Sequence, residues 1–289
     1  MDHFDENTKY CGLCPKACRV NRDEFCGACG ERNVMRIAKF YPHMFEEPPI
    51  SGRNGSGTIF FTGCSLRCVF CQNYTLSRSE RGKEITPNEL ADIFKKLEDA
   101  GVHNINLVTP THFVRRIAEA FSIYRPEIPV VYNTHSYETI KALEIIDPFV
   151  DIYLPDLKFF SPELSLRYTG RKDYFEVASK AIKFMMNSKK TSFSGDGMLQ
   201  SGVVVRHMIM PLGVQDSKKL LKWFAENKRS GAYISLMAQY TPFGNVEKYP
   251  ELMRPITPGE YERVYEDLLH LKITDYFAQE LRSSGESFI

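Results

Sequence analysis

From about residue 57 onward, short apolar runs alternate with longer amphipathic stretches along the chain. The runs TIFFT (58–62), NINLV (104–108), PVVYN (129–133), VDIYL (150–154), GVVVRHMIM (202–210) and AYISLM (232–237) are rich in β-branched and aromatic residues, as buried parallel strands are. Between the first two, ITPNELADIFKKLEDAG offers Thr86 as a cap, Pro87 in the first turn, Glu89 to close a capping box and Gly101 as a stop. Leu90, Ile93, Phe94 and Leu97 form the apolar face of that helix. Thr257, Pro258 and Glu260 repeat the start before a helix running to about Lys272, and further helices are predicted near 113–124, 137–146, 173–187 and 216–228.

Six β/α units joined by short connections predict an all-parallel sheet, either open and doubly wound or rolled into a partial TIM-type barrel. Periodicity does not separate the two, but in both the chemistry collects just after the strands, at their carboxyl ends. The segment 187–202 lacks periodicity and reads as a loop that could cover the site. Residues 1–50 form a cysteine-rich extension that ends in the linker-like EEPPISGRNGSG, and residues 51–289 form the larger domain.

Composition narrows the class. Hydrophobic residues make up 43% and charged residues 25%, which fits a globular chain and excludes a disordered one. The formal charge of +1 supplies no basic field for nucleic acid. The N-terminus MDHFDENTKY is acidic and polar, unlike a signal peptide, and no apolar run approaches a membrane span, so the expected location is the cytoplasm. In a reducing compartment clustered cysteines read as metal ligands or redox groups, and all eight cysteines fall within the first 71 residues.

Cys64, Cys68 and Cys71 follow the first strand in IFFTGCSLRCVFCQNY. A structural zinc site closes with four ligands, and no His, Asp or Glu lies between Cys64 and Cys71. Three thiolates on a [4Fe-4S] cluster would leave one iron open to substrate or cofactor. The competing readings are a zinc site completed from elsewhere and buried cysteines without function.

Upstream, Cys11, Cys14, Cys18, Cys26 and Cys29 crowd five thiols into nineteen residues. Four of them suit a zinc site stapling a segment too small to fold alone, or a second iron-sulfur cluster, and disulfides are the third option.

The C-x3-C-x2-C spacing with Phe70 before its last cysteine resembles the signature of the radical S-adenosylmethionine (SAM) superfamily. CGLCPKACRVNR, NLVTPTH, VVYNT, YLPDLKF, GVVVRHMIMPLG and SLMAQYTPFG are similar, in order, to its pyruvate formate-lyase activating-enzyme-like branch. The resemblance implies an α/β fold, a partial TIM-type (β/α)6 barrel with an N-terminal cysteine-rich extension. It implies a [4Fe-4S] cluster on Cys64, Cys68 and Cys71, with SAM on the open iron and Phe70 against its adenine. It further implies an oxidoreductase-type radical enzyme that cleaves SAM reductively and abstracts a hydrogen atom, served by a flavodoxin- or ferredoxin-like electron donor. The substrate would be a small molecule, a peptide or, for an activase, a glycyl-radical protein. The N-terminal ligands matched by the family pattern are Cys11, Cys14, Cys18 and Cys29, with Cys26 additional. The rival from another class is a non-catalytic iron-sulfur carrier or zinc interaction module, which should supply four ligands where this loop supplies three.

Other candidates lie at the strand ends. Period-two alternation puts Asp156 and Lys158 on one face, as a cofactor-pocket D-x-K motif or as a simple ion pair closing the barrel. Arg206 shares a face with Met208 and Met210 and suits a carboxylate or ribose edge, unless it only packs against a neighbouring acid. His207 points the other way, into the core. Where the family carries Gly-Gly-Glu, this chain reads Thr109, Pro110 and Thr111 before His112, with Thr109 and Thr111 as hydroxyl acceptors and His112 as a donor. Asn133 and His135 stand where activating enzymes read Asp and Asn, and Asn133 could instead cap the next helix with Ser136.

Overall fold

The computed structural model describes residues 11–78, 81–229 and 231–279. In chain order the strands are β1 (Met35–His43), β2 (Ser56–Phe61), β3 (Lys83–Ile85), β4 (Ile105–Val108), β5 (Val130–Thr134), β6 (Ile152–Pro155), β7 (Ser192–Phe193), β8 (Leu199–Met208), β9 (Tyr233–Met237) and β10 (Tyr276–Ala278). The helices are α1 (Pro48–Ser51), α2 (Tyr74–Ser77), α3 (Pro87–Asp99), α4 (Val114–Ile123), α5 (Ile140–Ile146), α6 (Pro162–Thr169), α7 (Tyr174–Ser188), α8 (Val214–Asn227) and α9 (Pro258–His270).

Sheet order decides the architecture. β2, β4, β5, β6, β8 and β9 lie side by side in chain order, every pair parallel. A doubly wound sheet would reverse direction partway along its order, so this is the partial (β/α)6 barrel. Antiparallel β1 extends one edge and parallel β10 the other. The sheet order runs from β10 to β3, and the gap of the partial barrel lies between those edges.

Alternation along the strands builds two cores. Outward residues such as Ile59, Phe61, Ile105, Leu107, Tyr132 and Val205 pack under the helices. Inward, Val131, Ile152, Leu154, Leu199 and Val204 form a small second core closed by Ile50, which is 0% exposed. The capping boxes at Thr86 and Thr257 form as the sequence predicts, each threonine accepting from the N–H three residues on.

Three expectations are corrected. The linker-like EEPPISGRNGSG is a plug: α1 sets Ile50 into the inner core, and Asn104 Nδ2 donates to the Ile50 carbonyl at 2.7 Å. Within 187–202, β7 pairs with β8 through Ser192↔Ser201 and Phe193↔Leu199, so the segment contains a short hairpin where the sequence predicts only a loop. Met35–His43, on the extension's side of residue 50, is a strand of the main sheet, paired with β2 from Ile37↔Phe61 to His43↔Ser56.

Candidate functional site

The loop after β2 is anchored from several sides. Gly63 N–H donates to Leu76 O, Cys64 N–H to Cys29 O at 3.1 Å, and Val69 N–H to Tyr168 O, while Val69 O accepts from Asn245 N–H. Gly244, at φ +83°, permits that last approach, since a Cβ there would lie 2.5 Å from Val69 O. Cys64 and Cys68 are buried and Cys71 is half-buried. Phe70 is locked edge-on against Phe159, Tyr168 and Tyr240.

All three thiols border a cavity of about 640 Å³ at the carboxyl ends of the strands. Phe70, Thr109, Asn133, Asp156, Lys158 and Arg206 line the same space, so the structure brings these predicted residues together. Arg206 is the hub of their polar layer. Its Nε donates to Asp156 Oδ1 at 2.9 Å, Nη1 to Glu46 Oε2 at 3.2 Å and Nη2 to Asn133 Oδ1 at 2.6 Å. Lys158 Nζ donates to the other Asp156 oxygen at 2.6 Å. Burial opposes ionisation of Asp156, but Arg206 and Lys158 outweigh it and hold the carboxyl below its usual range.

Thr109 occupies the left-handed region at φ +57°, a costly conformation for a β-branched residue. Thr111 does not reach the cavity; it donates to the buried Glu138 at 2.8 Å. His112 lies behind the loop, its Nε2 bonded to Thr62 O at 2.7 Å. His135 borders the cavity and pairs with Ser65 at 3.2 Å. Asn133 caps nothing, because Thr139 caps α5 and Asn133 is committed to Arg206 and Glu46. His207 is a core residue between Leu157 O and Ser217 Oγ, as alternation predicts.

Glu46 and Glu47 were not singled out in the sequence, yet both line the cavity. Glu46 Oε1 accepts from Asn106 and Asn133 while Oε2 accepts from Arg206, so one carboxylate ties β4, β5 and β8 together. The available signal was the double acid before Pro48-Pro49 in an otherwise small and polar stretch.

The donor set suits an iron-sulfur cluster. Burial pushes all three loop thiols up, while Lys158 lowers each and backbone N–H groups of Leu66, Arg67 and Asn73 lower Cys64 and Cys71. Thiols held this way ionise when a cationic centre joins them. Among the described residues no three His, Cys, Asp or Glu side chains converge as the ligands of one ion. A cuboidal cluster asks for something else, since its thiolates sit on separate irons. The family model for the radical SAM superfamily matches residues 58–237.

This chain belongs to the radical SAM superfamily.

An uncharacterized protein of Methanocaldococcus jannaschii is 30% identical over 267 residues, covering 89% of this radical SAM chain and 74% of that protein. Two solved structures of SuiB from Streptococcus suis share the fold. The one bound to the precursor peptide SuiA has a TM-score of 0.53 at 13% identity over 84% of this chain. The other has 0.53 at 14% over 79%. The chain spans about half the length of these structures, 49% and 52%.

The N-terminal thiols stand apart from the cavity. Burial pushes Cys14 up to about 12, with the thiols of Cys11, Cys29 and Cys18 adding, and pushes Cys29 up to about 11 against the pull of Arg22. A Cβ on Gly27 would meet Cys29 Sγ at 3.3 Å and Cys18 Sγ at 3.6 Å, so glycine leaves these sulfurs room. Cys11, Cys18 and Cys29 thus lie near enough to Cys14 to act on it electrostatically, while Cys26 is exposed. None of the described helices is long and apolar enough to cross a membrane.

Proposed function

We propose that the chain is an oxidoreductase-type radical SAM enzyme that takes a hydrogen atom from a substrate held in the cavity between the Cys64–Cys71 loop and the β1 and β10 edges. The carrying observation is the convergence of three buried strand-end thiols with Asp156, Lys158 and Arg206 on one space. When bound there, a [4Fe-4S] cluster and SAM supply one electron and a 5′-deoxyadenosyl radical.

The chain's own residues divide the remaining work. Cys64, Cys68 and Cys71 hold three irons. Arg206 is spent on Asp156, Glu46 and Asn133, whereas Lys158 uses one of its three donors on Asp156, leaving two for the methionyl carboxylate. Phe70, fixed by three aromatic neighbours, gives the adenine a rigid wall. Thr109 presents backbone and hydroxyl where the family places its amine-binding motif. Partial-barrel walls and the Ile50 plug exclude water from below.

A polypeptide substrate, including the glycyl-radical protein of an activase, is the second reading. It is favoured by the cavity's reach to both open edges, His43 on β1 and Tyr276, Phe277 and Ala278 on β10, and by the precursor peptide bound to SuiB. Anaerobic reconstitution with iron and sulfide, then dithionite and SAM, should yield 5′-deoxyadenosine from wild type and none from Cys71→Ala. Equal yields, or none from either protein, would sink the enzyme. Deuterium entering 5′-deoxyadenosine from labelled candidates would identify the hydrogen donor.

A further inference from the structure

The polar layer of the cavity is charge-balanced until its last member. Arg206 faces Asp156 and Glu46, and Lys158 faces Asp156, two cations for two carboxylates. Glu47 is the acid left over. It is 8% exposed, lines the cavity and is touched by the Ser235 hydroxyl, but its Oε2 is buried with no hydrogen-bond partner among the described residues. A buried acceptor left without a partner is destabilising, and Glu47 is held in place around it. Its backbone is fixed by Pro48 and Pro49 and by Ile50 N–H donating to Glu47 O at 2.8 Å, with Ile50 itself in the inner core.

Among the described residues, the side chains that act on Glu47 include one cation, Arg206. From β8 comes Arg206, already committed; from its own segment comes Glu46, which repels it; from β9 comes Ser235. The same cavity is lined by aromatic rings, Phe60 on β2, His43 and Phe45 at the end of β1, and Tyr276 and Phe277 on β10, together with Met208, Met237, Gln239 and Gln279. Burial and nearby Lys39 push His43 down, so it is neutral at pH 7. Aromatic faces attract cations, and Lys39 Nζ already lies 5.0 Å from the Phe60 ring centroid.

We infer that Glu47 and these aromatic walls form a cation subsite that receives the protonated amine or guanidinium end of the substrate, which makes that substrate an organic cation or a basic side chain of a polypeptide. Calling the ligand a substrate rests on the function proposed above; the binding itself does not. Burial pushes the empty Glu47 carboxyl up, so an arriving ammonium favours its carboxylate form and any proton it carried leaves to solvent.

The test is calorimetric titration of the full chain, without cluster or SAM, in two buffers of different ionisation heat. The probes are putrescine and acetyl-Gly-Lys-Gly-amide, with 1,4-butanediol and acetyl-Gly-Gln-Gly-amide as neutral counterparts. At least one cationic probe should bind about tenfold or more tighter than its counterpart and release protons at pH 7. Putrescine alone points to a free amine, and the tripeptide to a polypeptide side chain. Glu47→Gln should cost that probe about tenfold or more and abolish proton release. Equal binding of cationic and neutral probes, or a Glu47→Gln protein that binds the cation as wild type does, overturns the subsite. If Glu47→Gln does not fold, the wild-type comparison and its proton count decide alone. A chain that makes no 5′-deoxyadenosine can still pass this test, so the two failures are distinct.

Discussion

The backbone N–H of Cys64 donates to the carbonyl of Cys29 at 3.1 Å. The first residue of the three-thiol loop is thus hung on the last of the four N-terminal cysteines Cys11, Cys14, Cys18 and Cys29, so a metal bound at one set would bear on the frame of the other.

If the N-terminal thiols bind a metal, its loss should therefore be felt in the loop. Cys14→Ser is then expected to lose that metal and to weaken iron retention at Cys64, Cys68 and Cys71 by about 10–100-fold, the usual cost of an outer support. Cys26→Ser, at an exposed position, should leave both unchanged. Elemental analysis with iron-chelator challenge checks this; equal loss in both variants would contradict it.

Arg206→Met should be among the most damaging single changes to stability. It leaves Asp156 and Glu46 buried without their shared cation, and such broken pairs cost about 3–5 kcal/mol. Arg206→Lys keeps the charge but loses the fork that reaches Asp156, Glu46 and Asn133 together, and should fall between. Urea midpoints at constant slope would read both.

Acid should weaken the fold well before the carboxylates titrate. His112, His135 and His207 are buried, and burial pushes them down to about 3, about 4 and about 4. An unfolded histidine binds its proton near pH 6.5, roughly. Folded values lie below unfolded ones, so the neutral rings contribute stability that is complete above about pH 6.5 and is lost as pH falls toward the folded values. Three protons taken up on unfolding set a slope of at most about 4 kcal/mol per pH unit. Glu47, Glu138 and Asp216, raised by burial, act in the opposite sense and reduce it. Denaturant midpoints at pH 7, 6 and 5 should decline; a flat series would contradict the assignment.

Thr109→Gly should trade function for stability. Relief of the left-handed backbone is worth up to about 1–2 kcal/mol, partly offset by about 0.5–1 kcal/mol of glycine entropy in the unfolded chain. Thermal melting should rise slightly while SAM binding by the reconstituted protein weakens. A melting point that falls would show that the hydroxyl, not the backbone, governs the site.

Elements whose partners are local were legible in the sequence. The Thr86 and Thr257 capping boxes are complete within four residues, and the β-branched runs advertise strands buried on both faces. The three-thiol loop is a local constellation, and alternation alone put Arg206 and His207 on opposite faces. What escaped depends on distant partners. β1 reads MRIAKFYPH because only part of it is buried, and its place is set by pairing with β2. Glu46 looks like a linker acid until Asn106, Asn133 and Arg206 come to it. β7 is two exposed residues whose strand character comes from β8.

The Ile50 plug also sets an order of events on the ribosome. Glu46 is made 160 residues before Arg206, which at typical synthesis rates is a wait of roughly 8–32 s. Through that interval the plug has neither its apolar socket, completed by Val204, nor its charge partner. The nascent barrel must stay open from below until β8 emerges, so its late-closing floor is the place where a chaperone or a truncated chain would intervene.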